Sequence, residues 1–196
     1  MNFLAEKQVT RLIVVPSVLR SILQLGGHNL RINTWTSSGE PLTPDLLDKF
    51  FVSFPNATLL NIYGSTEVTA DVTCAEFTQD TPLVVSIGKP IRNNLVYILD
   101  EELNPVKEGE IYVTGANVAS GYLNNKVETE QRFIANPFYT QNIDPVYRIM
   151  FKTGDRGTIN DNGDIVYLGR VDRQVKINGK KDFGSILVFR DSNGIK

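Results

Sequence analysis

The sequence predicts an α/β chain in two parts, a parallel sheet with crossover helices followed by a small antiparallel β-barrel-like subdomain. Three observations predict it. Between residues 11 and 63, apolar strand-like runs alternate with amphipathic helical stretches, the pattern of a parallel sheet. After about residue 86 the character changes to short strand-like runs at 95–99, 110–114, 157–160 and 165–168, parted by Gly, Asn and Asp. Within that second part, Asp161-Asn162-Gly163-Asp164 carries the Asn-Gly pair that favours a tight hairpin turn.

Residues 11–15 read as the first strand. Pro16-Ser17 opens a helix with apolar residues at Val18, Leu19, Ile22 and Leu23, and Gly26-Gly27 stops it. A second strand at 32–36 runs into Ser37-Ser38-Gly39-Glu40-Pro41. Thr43 then caps a helix with Pro44 at its first position, and Leu46, Leu47, Phe50 and Phe51 form its buried stripe. Pro55-Asn56 makes a turn into a third strand at 58–62. A short helix around residues 128–133 interrupts the later strands. Gly39-Glu40 and residues 64–67 both follow strand ends and lie on one edge of the sheet, where such sheets bind ligands.

The chemistry concentrates in Asn61-Ile62-Tyr63-Gly64-Ser65-Thr66-Glu67. Tyr63 offers a flat ring to an aromatic ligand, Gly64 allows close backbone approach, and Glu67 is a hard oxygen ligand suited to Mg²⁺. Three oxygen-bearing side chains in succession at a strand end suit a phosphate or metal site; a strand, a turn and a solvated acid would read the same over seven residues.

Composition is that of a globular chain, 41% hydrophobic and 21% charged, and the formal charge of −2 gives no electrostatic reason to expect nucleic acid. No apolar run approaches the length that spans a bilayer, and no secretory signal is visible. The single cysteine, Cys74, cannot form an internal disulfide, so a reducing, cytoplasmic setting is expected. With Cys74 and His28 each the only residue of its type, a structural zinc site is excluded.

Further motifs follow in order. Gly109-Glu110-Ile111-Tyr112-Val113-Thr114-Gly115 leads to Val118-Ala119-Ser120-Gly121-Tyr122-Leu123, then Lys152-Thr153-Gly154-Asp155, then Gly169-Arg170-Val171-Asp172-Arg173-Gln174-Val175-Lys176. With residues 61–67, this series resembles the adenylate-forming enzymes: acyl-CoA synthetases, luciferases and, most closely, amino-acid adenylation domains of nonribosomal peptide synthetases. It covers roughly residues 8–181. The resemblance implies part of the large N-terminal domain of such an enzyme. Residues 1–85 would be a partial AMP-binding α/β subdomain and 86–172 a β-rich subdomain. Residues 173–181 would be a hinge and the start of a C-terminal domain, and 182–196 an unrelated tail.

The implied reaction is attack of a carboxylic or amino acid on the α-phosphate of ATP, with Mg²⁺, giving an acyl-adenylate. The acyl group then passes to a thiol, coenzyme A or the phosphopantetheine of a carrier protein. Tyr63 would stack on adenine with the backbone of Gly39, Glu40 and Pro41 on its other side and Gly64 close by, and Asn61 would bond the adenine edge. Thr66 would contact phosphate, Glu67 would hold Mg²⁺, and Asp155 would accept both ribose hydroxyls. Arg170 and Lys176 would reach the nucleotide, and Asp172 would be the hinge. Substrate choice would fall to Thr36, Ser38, Ile62, Ala70 and Asp71, whose small, polar character with one acid favours a small, hydroxyl- or amine-bearing substrate.

Plainer readings stand beside several of these. Asp155 after Thr-Gly also fits a turn residue, Arg170 and Asp172 a surface ion pair, and Asp71 a solvent-facing acid. Gly115, Gly121, Tyr112 and Tyr122 read as structural. Phe151 and Asn178 depart from the family's usual tyrosine and arginine. The phosphate-covering loop and the late catalytic lysine of the family have no counterpart in the sequence. The expectation is therefore a fragment inactive by itself, with a non-catalytic nucleotide-binding or interaction module as the alternative.

Overall fold

The computed structural model describes residues 2–27, 30–81, 84–171 and, by their backbone, 186–188. After a short helix α1 (Asn2–Glu6), the expected alternation appears as β1 (Arg11–Val14), α2 (Pro16–Gln24), β2 (Thr34–Ser38), α3 (Pro44–Ser53) and β3 (Thr58–Tyr63). β1, β2 and β3 pair in parallel. The sheet then turns mixed: β4 (Thr73–Phe77) runs antiparallel to β3, and β5 (Lys89–Pro90) antiparallel to β4. The sequence reading had no β4, although its buried Thr73, Ala75 and Phe77 alternate with Cys74 and Glu76 as strand residues do.

Helices α2 and α3 cover one face of this sheet. Leu19 and Ile22 of α2 and Leu46, Leu47, Phe50 and Phe51 of α3 pack with Trp35 of β2 and Leu59 of β3 in one core. Trp35 is wholly buried and meets Phe50 edge-on at 5.7 Å, where burying a large apolar side chain contributes roughly 1.5–3 kcal/mol. The other face carries Ile13, Thr36, Leu60 and Glu76 in one register row and Ser38, Ile62 and Cys74 in the next. Ile13 is 74% exposed there.

Thr43 occupies the N-cap of α3, but its hydroxyl makes no bond to the helix backbone. It donates instead to the Asp45 carboxylate at 2.5 Å and accepts from Arg20. That hydroxyl, with the Arg20 guanidinium, lowers the Asp45 carboxyl to about 2. An acid in the first turn has taken the cap's side chain.

The second sheet is antiparallel and curls into a half-barrel. It comprises β6 (Asn94–Leu99), β7 (Glu108–Gly115), β10 (Ile149–Ile159) and β11 (Ile165–Arg170), in the order β11-β10-β7-β6. Between β7 and β10 come β8 (Gly121–Leu123), helix α4 (Lys126–Arg132) and β9 (Phe133–Ala135), which pairs with β10. β12 (Ile186–Val188) pairs with β8. The Asn162-Gly163 turn closes β10 onto β11 with Gly163 at φ 76°. Val68 and Val72, from the loop after β3, sit in the core of this second sheet beside Ile111 and Phe151. That loop is therefore pinned between the two sheets. Residues 87–88 join them again, exchanging backbone hydrogen bonds with Ile165.

Candidate active site

The loop after β3 leaves the sheet through Gly64, where a Cβ would run into the Ala70 carbonyl. No side chain fits there. The Val72 amide returns to the Tyr63 carbonyl at 2.9 Å, and Thr69 and Ala70 take positive φ to close the loop. Beside it lies a cavity of about 380 Å³ lined by Gly39, Glu40, Pro41, Asn61, Ile62, Tyr63 and Gly64, with residues 84–87 and Tyr167. The Glu40 carboxylate accepts from the Ser17 amide at 2.9 Å and the Ser17 hydroxyl at 3.0 Å, serving the open N-terminus of α2. Engaged there, Glu40 leaves mainly backbone to the cavity. Asn61 is buried and donates to the Ser86 carbonyl at 2.8 Å.

Asp155, on β10, stands behind two tyrosines that line this cavity, Tyr63 and Tyr167. Pairing with β7 slips between Lys152 and Arg156, so the strand bulges at Thr153-Gly154-Asp155. Bulges re-aim side chains, and this one turns Asp155 inward. The Thr153 hydroxyl repairs the interrupted ladder, donating to the Ile111 carbonyl at 2.7 Å and accepting from the Asp155 amide at 3.0 Å. The Asp155 carboxylate then accepts from the Tyr63 hydroxyl at 2.6 Å, from Arg170 at 3.1 Å and from the Tyr167 hydroxyl at 3.5 Å. Gly154 lets Arg170 and Arg132 approach the backbone more closely than a side chain would permit. Burial, then the Asp155 carboxylate, raises the Tyr63 phenol well above its ordinary range, so it remains a donor at neutral pH.

Asp155 is thus no turn residue, and Arg170 is no surface ion: it donates to Asp155 and to the Thr153 carbonyl from a largely buried position. Asp172 and Lys176, together with the expected hinge, His28 and all of the expected tail except Ile186–Val188 of β12, lie outside the described residues.

Glu67 sits in a one-turn 3₁₀ segment, Thr66–Val68, and is 1% exposed. Its Oε1 accepts from the Tyr122 hydroxyl at 3.0 Å, and its carbonyl accepts from the Ala119 amide at 2.9 Å. Burial and the Glu67 carboxylate push the Tyr122 phenol up. Thr66 is exposed at the loop surface. Among the described residues no group of three or more His, Cys, Asp or Glu could enclose a metal. A lone carboxylate does fit a Mg²⁺ ion that draws its remaining ligands from nucleotide phosphates and water.

The proposed substrate-pocket residues divide. Thr36, Ser38 and Ile62 share the sheet face away from the helices, joined by Leu60 and Cys74, which sequence reasoning did not single out. Of the five, Ile62 alone also lines the cavity beside Tyr63. Ala70 and Asp71 lie on the loop, where partial burial raises the Asp71 carboxyl. Burial, then the Glu76 and Asp71 carboxylates, raises the Cys74 thiol. Tyr167 and Tyr122 were likewise missed as site residues. An isolated tyrosine in a strand carries no local signal of the acid it will meet.

A cavity at the sheet edge, bounded by backbone at Gly39 and Gly64 and by a half-buried tyrosine bonded to a buried aspartate, lies where α/β sheets take their ligands. The chain belongs to the AMP-binding enzyme family, which matches residues 1–123. It is 40% identical over 198 residues to the beta-alanyl-bioamine nonribosomal peptide synthetase ebony of Drosophila melanogaster, covering 91% of this chain and 22% of that protein. Phosphinothricin tripeptide synthetase PhsB of Streptomyces viridochromogenes is 38% identical over 185 residues, with 91% and 15% covered. Among solved structures, holo-PA1221, a nonribosomal peptide synthetase protein containing adenylation and PCP domains, superposes with a TM-score of 0.81 at 28% identity. That match covers 90% of this chain and 31% of the solved one. The adenylation domain AlmE of Vibrio cholerae, solved with glycyl-adenosine-5'-phosphate, superposes with a TM-score of 0.75 at 27% identity, with 91% and 34% covered. The chain spans 15–22% of the length of these curated relatives and about a third of the solved chains.

Proposed function

We propose that this chain carries the nucleoside-binding part of a carboxylate-activating site. A carboxylate oxygen attacks the α-phosphorus of ATP, the bond to the bridging pyrophosphate oxygen breaks, and an acyl-adenylate forms. A thiol sulfur, of coenzyme A or a carrier-protein phosphopantetheine, then attacks the acyl carbon, the bond to the phosphate oxygen breaks and AMP leaves. The observation that carries this reading is the Tyr63–Asp155 hydrogen bond of 2.6 Å beside the cavity walled by Gly39, Glu40 and Pro41.

Adenine enters between the Tyr63 ring and the Gly39–Pro41 backbone, with Asn61 at its edge. Asp155 exchanges tyrosine hydroxyls for ribose hydroxyls, while Arg170 holds the carboxylate in place. Thr66 contacts phosphate, Lys176 contacts the nucleotide, and Asp172 is the hinge. Glu67 holds Mg²⁺, which when bound neutralises charge on the phosphates. The protein's work is positioning and electrostatic complementarity.

The substrate is a small carboxylic acid bearing an amine. Thr36, Ser38 and Ile62 leave little apolar length for a fatty chain, and Asp71 supplies a countercharge for an ammonium group. Relatives named for β-alanyl and glycyl chemistry agree in size. A second reading, a nucleotide-binding or interaction module without catalysis, draws on Ile13, 74% exposed on the sheet face away from the helices.

The test is calorimetric titration of the chain with adenosine and with ATP. Asp155→Ala removes a charged hydrogen-bond acceptor, so both affinities should fall together, by on the order of tenfold or more. Undiminished adenosine binding in a folded Asp155→Ala chain would refute the ribose role.

A further inference from the structure

We propose that Tyr122 is a positioning residue for the Glu67 carboxylate, holding it in the orientation at which it takes a nucleotide-bound divalent cation. The inference rests on the reading of Glu67 as the cation's protein ligand and extends it to a residue 55 positions further along the chain.

Glu67 belongs to a loop whose backbone is fixed on several sides. Val68 is locked in the second core, the Glu67 carbonyl takes the Ala119 amide, and the Thr69 hydroxyl donates to the Asn117 carbonyl at 2.8 Å. A fixed backbone still leaves three side-chain torsions in a glutamate. The Tyr122 hydroxyl, 3.0 Å from Oε1, restrains the far end of that side chain.

Tyr122 is held in turn by α4. Its amide donates to the Thr129 hydroxyl at 2.9 Å, and that hydroxyl donates to the Asn125 carbonyl at 2.7 Å. Asn125 caps the helix by accepting from the Glu128 amide at 3.2 Å. Gly121, at φ 140°, has no room for a Cβ against Thr129, so the strand lies directly on the helix. The Tyr122 ring meets Phe133 edge-on at 5.5 Å. Ring packing by itself would be served by phenylalanine; the hydroxyl is what reaches the acid. Partners of this kind set the orientation of metal-binding carboxylates, and losing one typically costs about 10–100-fold in metal affinity.

The experiment is a Mn²⁺ titration of the full chain with ATP, followed by paramagnetic resonance to count the ternary complex, alongside adenosine calorimetry without metal. Tyr122→Phe keeps the ring and removes the hydroxyl. It should weaken ternary Mn²⁺ binding by about 10-fold or more while adenosine affinity is unchanged. Thr129→Val, which frees the Tyr122 backbone without touching its hydroxyl, should give a smaller loss in the same direction. Glu67→Gln should abolish the ternary signal. Wild-type Mn²⁺ binding in Tyr122→Phe, with the signal lost in Glu67→Gln, would overturn the role of Tyr122 and leave that of Glu67 standing. A parallel loss of adenosine affinity in Tyr122→Phe would also overturn it, reducing Tyr122 to general packing. An undiminished signal in Glu67→Gln, or none in the parent chain, would remove the metal reading of Glu67 and this inference with it.

Discussion

The Tyr63 hydroxyl donates to Asp155 Oδ2 at 2.6 Å, across 92 residues of chain and from one sheet to the other. Each partner would be costly to bury alone. The Asp155 carboxylate is answered by Arg170 and two tyrosine hydroxyls, and the tyrosine that lines the cavity is held by the acid proposed for ribose.

Removing the two sides of this pair should have unequal effects. Tyr63→Phe deletes one donor and should cost about 1–3 kcal/mol of stability, since Asp155 keeps Arg170. Asp155→Asn takes the charge from the carboxylate that pairs with the largely buried Arg170 and should cost more, about 3–5 kcal/mol. Urea unfolding of both variants checks the order; equal losses would show that the charge pair contributes nothing beyond the hydrogen bond.

Two glycines of the site should tolerate alanine differently. At Gly154 an added Cβ meets the ends of the Arg170 and Arg132 side chains, which can move, and φ 74° adds about 1–2 kcal/mol of backbone strain. At Gly64 the obstacle is the Ala70 carbonyl, part of a backbone tied at Tyr63 and Val72. Gly64→Ala should therefore lower the melting temperature more than Gly154→Ala. The reverse order in a thermal melt would show that the loop after β3 yields easily.

Asp71 makes a pH-dependent prediction. Burial raises its carboxyl above 3.8, so the folded chain binds this proton more tightly than the unfolded chain does. The stability this contributes is fully present below the unfolded value and is lost as pH rises through the folded one. At neutral pH the ionised acid is therefore a liability. Asp71→Asn should raise the melting temperature at pH 7, with the gain shrinking towards pH 4. A small amino acid substrate with its adenylate-forming nucleotide should stabilise the parent more than the variant. A gain independent of pH would mean that Asp71 acts through something other than its charge.

The order β1-α2-β2-α3-β3 is legible in the sequence because it rests on local physics. Apolar period, Pro44 at a helix start and Gly26 at φ 79° past a helix end act over a few residues each. The Asn162-Gly163 turn is legible for the same reason. The residue types of the site, Tyr63, Glu67 and Asp155, could also be named, because the ordered motifs that hold them are themselves local strings.

What the tertiary structure alone decided is which side chains answer one another. Arg170 could equally have been a surface ion, and it turns to Asp155 because the bulge at Gly154 aims that acid inward and leaves room for a guanidinium. Tyr122 could equally have been a rim aromatic, and it reaches Glu67 because α4 carries β8 against the pinned loop. β4 escaped notice because the polar Thr73 and Glu76 leave Thr73–Phe77 without an apolar run, and its strand character comes from pairing with β3. Local pattern determines elements and candidate residues; buried charges and hydroxyls find partners only when chain segments far apart in sequence are folded together and water is excluded between them.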